Sequence, residues 1–296
     1  MIGGWRKMAL ICPGFGACGA CGAKRAALFQ RSSPGLPDAA RPPFAISPMS
    51  FSLQHFDLVE MLRCGRELGR AGMGAATLEE AAGRVVRYLY DGCRDNETGE
   101  RECALVRFFV TQPYRALPRE MQDAACRILG CAPSIQTMNC LALLATAGDD
   151  PAWNDRRRSS AHQALPLSDI RMVESMPMFA ELFRSLGVDQ QAVVARDADL
   201  LLGGAGKMYR VFFVPRAEGS PFIPGQDAFV RPRGIRSVLG WGGVLHGGEV
   251  FAVVLFTRVA IPEPSADRFR HVALDVKAAL SLLDTTFDAP AAQPVA

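Results

Sequence analysis

Two arginines stand inside segments that are otherwise apolar. Arg107 lies within the run ECALVRFFV (102–110), and Arg210 lies within Met208–Val214. A guanidinium held in a sheet needs a carboxylate, a row of carbonyls or an anionic guest, because an unpaired buried charge is costly. Side chains alternate across a strand, so Arg107 is expected to share a face with Cys103, Leu105 and Phe109, and Arg210 with Met208 and Phe212. If these faces line a pocket, a small anionic or aromatic ligand is the fitting guest, with Tyr209 and Trp241 as neighbours. The candidate ligand-binding residues are therefore Arg107, Phe109, Tyr209, Arg210, Phe212 and Trp241. The ordinary alternative is an edge-strand arginine that reaches solvent or an internal Asp or Glu.

Other chemistry is thinner. Cys12, Cys18 and Cys21 include a C-x-x-C, but a closed zinc site takes four ligands and no second C-x-x-C or histidine pair follows. Thiols at Cys93, Cys103, Cys126, Cys131 and Cys140 invite a redox reading, although buried cysteine ordinarily acts as a small hydrophobe. Cys126 and Cys131 flank a helix end, where a thiol can be reached. The histidines His55, His162, His246 and His271 form no metal-ligating spacing, so neither a metal nor another cofactor is expected. There is no G-x-S-x-G elbow, and Gly203, Gly204, Gly206 and Lys207 lack the spacing of a phosphate loop and read as a turn. No catalytic constellation emerges, and the chain is not expected to be an enzyme.

The totals narrow the field further. A chain of 296 residues with 49% hydrophobic content can bury a sizeable core. Its 33 basic and 30 acidic residues are intermixed, giving +3, so nucleic acid is not an expected partner. The longest apolar run, Val250 to Phe256, is one strand long, so no membrane span is expected. The 9 cysteines are scattered through apolar segments, which points to reduced thiols and a cytoplasmic setting. Residues 1–48 are rich in Gly, Ala, Pro and Arg and lack periodicity. They are expected to be a disordered extension or an upstream misassignment of the start; a signal peptide is disfavoured because Pro13, Gly14 and Gly16 break the apolar run.

The elements that must position the arginines follow from pattern. Phe56, Val59, Leu62 and Leu68 form a stripe that predicts an amphipathic helix ending near Gly72. Thr77 and Glu80 form a capping-box signature ahead of Ala81, Ala82, Val85, Val86 and Leu89. Glu102 to Val110 reads as a strand, Leu117 to Leu129 as a helix and Met138 to Thr146 as a strand. Ser168 caps a short helix through Ile170 and Val173, Pro177 interrupts it, and a second helix stops at Gly187. Strands follow at Met208–Val214, Gly234–Leu245 and Glu249–Arg258, the last two joined by His246, Gly247 and Gly248. A closing helix carries Ala266, Phe269, Val272, Val276, Ala279, Leu280 and Leu283 on one face. This order predicts an α+β fold: an antiparallel central sheet with terminal helices on one face and inserted helices and loops over the other. One domain is expected over 49–287, with a flexible tail at 288–296.

The stretch Gly234 to Leu283 resembles the C-terminal half of a GAF domain. Gly234, Ile235, Ser237 and Leu239 match that family's G-I-x-S-x-L strand. His246 to Gly248 match its turn, Val250 to Leu255 its V-x-A-V-L strand, and Ala266 to Leu283 its closing helix. Phe56 to Val110 agrees in the order of elements. The resemblance implies a regulatory input module, of the type found upstream of PAS, histidine kinase or cyclase domains, with a ligand between the sheet and the inserted helices. The Asn, Lys, Phe, Asp and Glu set of cyclic-nucleotide-binding members is missing, as is the Cys/His arrangement of bilin-binding members. With no room for an output domain, the chain is expected to act through a partner such as a signalling kinase or phosphatase, and to pair as a homodimer through its terminal helices. The alternatives are a thiol-dependent enzyme of the same fold, of the methionine sulfoxide reductase type, and a ligand-free interaction scaffold.

Overall fold

Helix capping and strand pairing account for the first half of the chain. The computed structural model describes residues 50–130, 138–159, 162–204, 210–281 and 283. The expectations for 1–48 with its C-x-x-C, for Cys131, for Gly206 to Tyr209 and for 288–296 lie outside these residues. Helix α1, Leu58–Leu68, starts where the Asp57 side chain accepts from the Glu60 amide. Helix α2, Leu78–Gly92, starts at Thr77, whose Oγ1 accepts from the Glu80 amide at 3.1 Å. Glu80 reaches back to the Ala76 amide at 2.9 Å, one residue earlier than the simplest capping box would place it. Strand β1, Cys103–Pro113, precedes helix α3, Arg119–Leu129, which ends on Gly130 at φ 74, a left-handed turn suited to glycine. Strands β2, Asn139–Gly148, and β3, Ala164–Leu167, come next.

An inserted helical block follows: α4 Ile170–Glu174, α5 Pro177–Ser185, α6 Gln190–Ala195 and α7 Ala198–Gly204. Asp169, rather than the expected Ser168, caps α4, because its carboxylate accepts from the Met172 amide. Pro177 opens α5 at a position where its missing N–H is no loss. Gly203 and Gly204, expected in a turn, form the end of α7. The chain closes with β4 Phe212–Val214, β5 Ser237–Val244, β6 Val250–Thr257 and α8 Glu263–Leu280. No helix among the described residues is long and apolar enough to cross a membrane.

The six strands form a single antiparallel sheet in the order β3-β2-β1-β6-β5-β4. The α+β expectation holds, and the sheet divides two apolar cores. On one face Val106, Phe108, Trp241, Phe251 and Val253 pack with α1, α2 and α8. On the other, Leu105, Phe109, Leu143, Phe212 and Val254 pack with α4 to α7 and with residues 217–235. Both faces are thus covered, one by the terminal helices and the other by the inserted segments.

Three departures from the expected pattern have physical causes. Strand β3 is not among the expected elements; it contains Pro166, and it sits at the sheet edge, where a missing amide is tolerated. Cys103 and Leu105 lie on opposite faces, since the register with β6 shifts between them and leaves Ala104 as an extra residue. Cys103 therefore does not share a face with Arg107. Lastly, α1 buries Met61, Cys64, Gly65 and Leu68 while Leu58, Val59 and Leu62 stand 58%, 52% and 58% exposed. Gly65 is part of the face turned toward α8, and a Cβ on it would run into the Asp275 carboxylate.

Candidate functional site

Arg107 sits at the centre of β1, opposite Thr146 on β2 and Val254 on β6. Its neighbours in sequence, Val106 and Phe108, point into the terminal-helix core, so Arg107 projects to the inserted face. Thr146 reaches the same face through a β-bulge. The register of β1 with β2 shifts between Phe108 and Phe109, leaving Leu144 extra, so that Leu144 and Ala145 both face the terminal helices. Arg107 is half-buried, and its Nη2 lies 3.5 Å from Ser159 Oγ, on the loop that leads to β3.

Two further groups complete this polar spot. Thr146 is 6% exposed, and its hydroxyl has no hydrogen-bond partner among the described residues. An unsatisfied buried hydroxyl costs about 1–3 kcal/mol, so Thr146 is a standing penalty in the protein alone. His162 is half-buried beside the arginine; burial and the Arg107 guanidinium hold its imidazole down to about 3. Arg156, on the same loop, is already neutralised by Glu79 at 2.5 Å and Glu120 at 3.0 Å, which ties the loop to α2 and α3.

The expected ligand-binding residues divide. Arg107 alone of the six lies in this polar spot. Phe109 and Phe212 face the inserted side, but they are core residues, edge-on to Phe179 at 5.2 Å and Phe222 at 6.5 Å. A Cβ on Gly240 would meet Leu182 at 2.9 Å, so that part of the face is filled. Trp241 belongs to the opposite face, 6.2 Å from Phe269 of α8, and the sheet separates it from Arg107. Arg210 is exposed and precedes β4, while Tyr209 lies outside the described residues. Thr146, Ser159 and His162 were not legible as site residues, because bulge and loop bring them to Arg107 without any recognisable spacing in the chain.

The thiols give little support to catalysis. Cys64, Cys93, Cys103 and Cys140 are buried. Burial pushes up the thiols of Cys64, Cys93 and Cys140, the last to about 12. A thiol nucleophile acts as the thiolate, so buried thiols with raised pKa values are inert. Cys126 is the partly exposed exception among the described residues, with its Sγ 3.1 Å from the Tyr114 hydroxyl. No group of three or more His, Cys, Asp or Glu among the described residues is arranged to hold a metal ion. A groove of about 30 Å³ at the end of the sheet, lined by Thr111, Asn139, Arg196 and Glu249, has room for little more than a water.

The depressed His162 has a consequence for stability. An unfolded histidine near 6.5 takes up its proton before the folded one does, so stability is complete above about 6.5 and is lost as the pH falls toward about 3. The slope from this residue is at most about 1.4 kcal/mol per pH unit. Urea denaturation at several pH values between these limits is expected to show a shallower loss in His162→Gln than in the parent chain.

No protein-family model matches this sequence, and no curated protein matches it significantly.

Proposed function

We propose that this chain is a GAF-like sensory or regulatory domain that takes a small-molecule signal on the inserted face of its sheet and acts through a partner protein in the cytoplasm. The observation that carries this reading is the polar spot at Arg107. Along an otherwise apolar face, one guanidinium, an unsatisfied hydroxyl and a neutral imidazole converge under a loop. Such a small number of convergent polar groups in apolar surroundings is what fixes a ligand's orientation. The strand that bears Arg107 also contributes Val106 and Phe108 to the terminal-helix core, so occupancy has a direct packing route to α1 and α8. That route transmits a signal only if the ligand binds two states of the helices with different affinity.

A thermal-shift screen of the full chain against metabolites tests this reading, because a ligand that binds only the native state raises its apparent stability. At a concentration roughly 100 times its dissociation constant, a ligand adds about 2.7 kcal/mol. A ligand-free dimerisation scaffold is the second reading, favoured by the apolar cores on both faces of the sheet. A broad library that left the melting temperature unmoved would favour it.

Both readings place a homodimer contact on the terminal helices, where Leu58, Val59 and Leu62 of α1 and Leu274 of α8 are exposed. Leu62→Glu is expected to shift sedimentation toward the monomer with little change in melting temperature measured at dilutions where the parent chain is already monomeric. An unchanged sedimentation profile would remove this surface from the proposal.

A further inference from the structure

We infer that two copies of this chain pair through α1 and α8 in the antiparallel sense, about a two-fold axis at the height of Leu62 and Leu274, so that the acidic end of each helix pair lies on the basic end of the other. The inference rests on the homodimer reading above, which requires only that the contact use these helices, and it specifies how the copies are arranged.

Charge along the helix pair selects the sense. Within one copy α1 and α8 run parallel: Phe56 stacks on Phe269 at 4.5 Å, Gly65 lies against Asp275, and Gly72 lies against Ala279. Both helices therefore begin at one end of the pair and finish at the other. At the first end acids prevail, with Asp57, Glu60, Glu263 and Asp267 set against Arg268 and Arg270. Arg268 is further occupied there, donating to the Phe56 carbonyl at 3.0 Å. At the far end bases prevail, with Arg63, Arg66, Arg70 and Lys277 set against Glu67 and Asp275. Arg63 and Arg66 are exposed and have no ion pair among the described residues. Arg70 and Asp267 are held at 2.9 Å by Glu67 and Arg270 of their own helices, yet they stay 55% and 46% exposed. Such local pairs are weak, so both charges remain available to a neighbour. Two copies side by side in parallel would set like charge on like at both ends, which strongly disfavours that contact. The antiparallel sense sets opposite charges together at both ends.

The apolar surface supplies the second condition, a patch that complements itself under a two-fold rotation. Leu58, Val59 and Leu62 of α1 and Leu274 of α8 are exposed. Leu62 and Leu274 stand at nearly the same height, because the contact of Phe56 with Phe269 precedes both and that of Gly65 with Asp275 follows both. An axis at this height lays each Leu62 on the partner's Leu274. Asp267 precedes Leu274 by seven residues and Arg70 follows Leu62 by eight. At 1.5 Å per residue they stand roughly 11 and 12 Å from the axis, on opposite sides of it, and the rotation brings the partner's Arg70 to Asp267. One surface thus satisfies its apolar centre and both charged ends with a second copy of itself.

The test measures the dimer dissociation constant of the full chain by sedimentation equilibrium. Arg66→Glu with Arg70→Glu makes the basic end acidic, and Glu263→Lys with Asp267→Lys makes the acidic end basic. Melting temperatures at monomeric dilution check that each variant is folded. Each double variant is expected to raise the dissociation constant about tenfold or more, and all four changes in one chain, which reverse both ends, to return it to within about threefold of the parent. In the parent chain, sodium chloride raised from about 0.05 M to about 0.5 M is expected to weaken the dimer, because the attraction between exposed charges is screened. This arm needs no substitution. A dimer that tightens with salt and is not loosened by either double variant is a parallel one; the antiparallel sense then falls while the homodimer reading stands. Folded double variants that dissociate without recovery in the four-change chain would also overturn the inference. A parent chain that stays monomeric at its highest soluble concentration shows that this face serves a different partner, and both fall.

Discussion

Gly72→Ala is expected to lower stability by about 3 kcal/mol or more. A Cβ at this position would overlap the carbonyl oxygen of Ala279 and lie 2.9 Å from its carbonyl carbon. Those atoms belong to the backbone of α8, so no side-chain rotation relieves the clash. Either the turn after α1 or the last turns of α8 must move, and both rest on the core that contains Phe56, Leu68, Val276 and Leu280. The phenylalanines Phe56 and Phe269, stacked at 4.5 Å, pin the other end of the same helix pair. Gly83→Ala is the matched control. It lies within α2, a Cβ added there would meet nothing within 4 Å, and the change is expected to stabilise by about 0.5–1 kcal/mol through helix propensity. Chemical denaturation of the two variants checks both signs at once; a Gly72→Ala chain as stable as the parent would show that the helices can separate at no cost.

Glu102→Ala is expected to be of similar severity, about 3 kcal/mol, for a different reason. Glu102 is 2% exposed, and its carboxylate accepts from Ser52 Oγ at 2.8 Å, the Leu53 amide at 2.5 Å and Gln54 Nε2 at 3.4 Å. These bonds fasten residues 51–54 beside the start of β1, where Phe51 bridges to Cys93 and packs against Phe56 and Tyr88. Removing the carboxylate leaves a buried hydroxyl and a buried amide without their acceptor, and each such group carries its full desolvation cost. Glu102→Gln keeps one acceptor oxygen and is expected to lose roughly half as much, because hydrogen bonds to a charged group are the stronger kind. Amide exchange of residues 51–54 would accelerate in Glu102→Ala well before the rest of the domain unfolds. Equal exchange in the variant and the parent would contradict this anchoring role.

Much of the fold was legible because its signals are local. The Thr77 and Glu80 pair starts α2 through bonds made within one turn, and the runs at 102–110 and 250–256 become central strands because nothing but a sheet buries them fully. The short elements were not legible. Strand β3 contains a proline, and α6 and α7 are too brief to show a period, so only their packing against the sheet defines them. The site was half legible. An arginine in an apolar strand could be singled out from the sequence, and its projection to the inserted face follows from alternation. Its neighbours could not, because a bulge at Leu144 decides which way Thr146 points, and a loop decides where Ser159 and His162 arrive. Trp241 shows the converse error: aromatic type and strand position say nothing about which side of a sheet a residue takes until the register is fixed.

In the proposed domain the guest occupies the inserted face, at Arg107, and not the terminal-helix surface. Amide hydrogen exchange of the full chain, with and without a compound that raises its melting temperature, separates these two surfaces. Slowed exchange in β1 and β2 around Arg107 and Thr146, absent in Arg107→Met, is the predicted result. Slowing confined to Leu58–Leu68 and Glu263–Leu280, and unchanged in Arg107→Met, would contradict the claim.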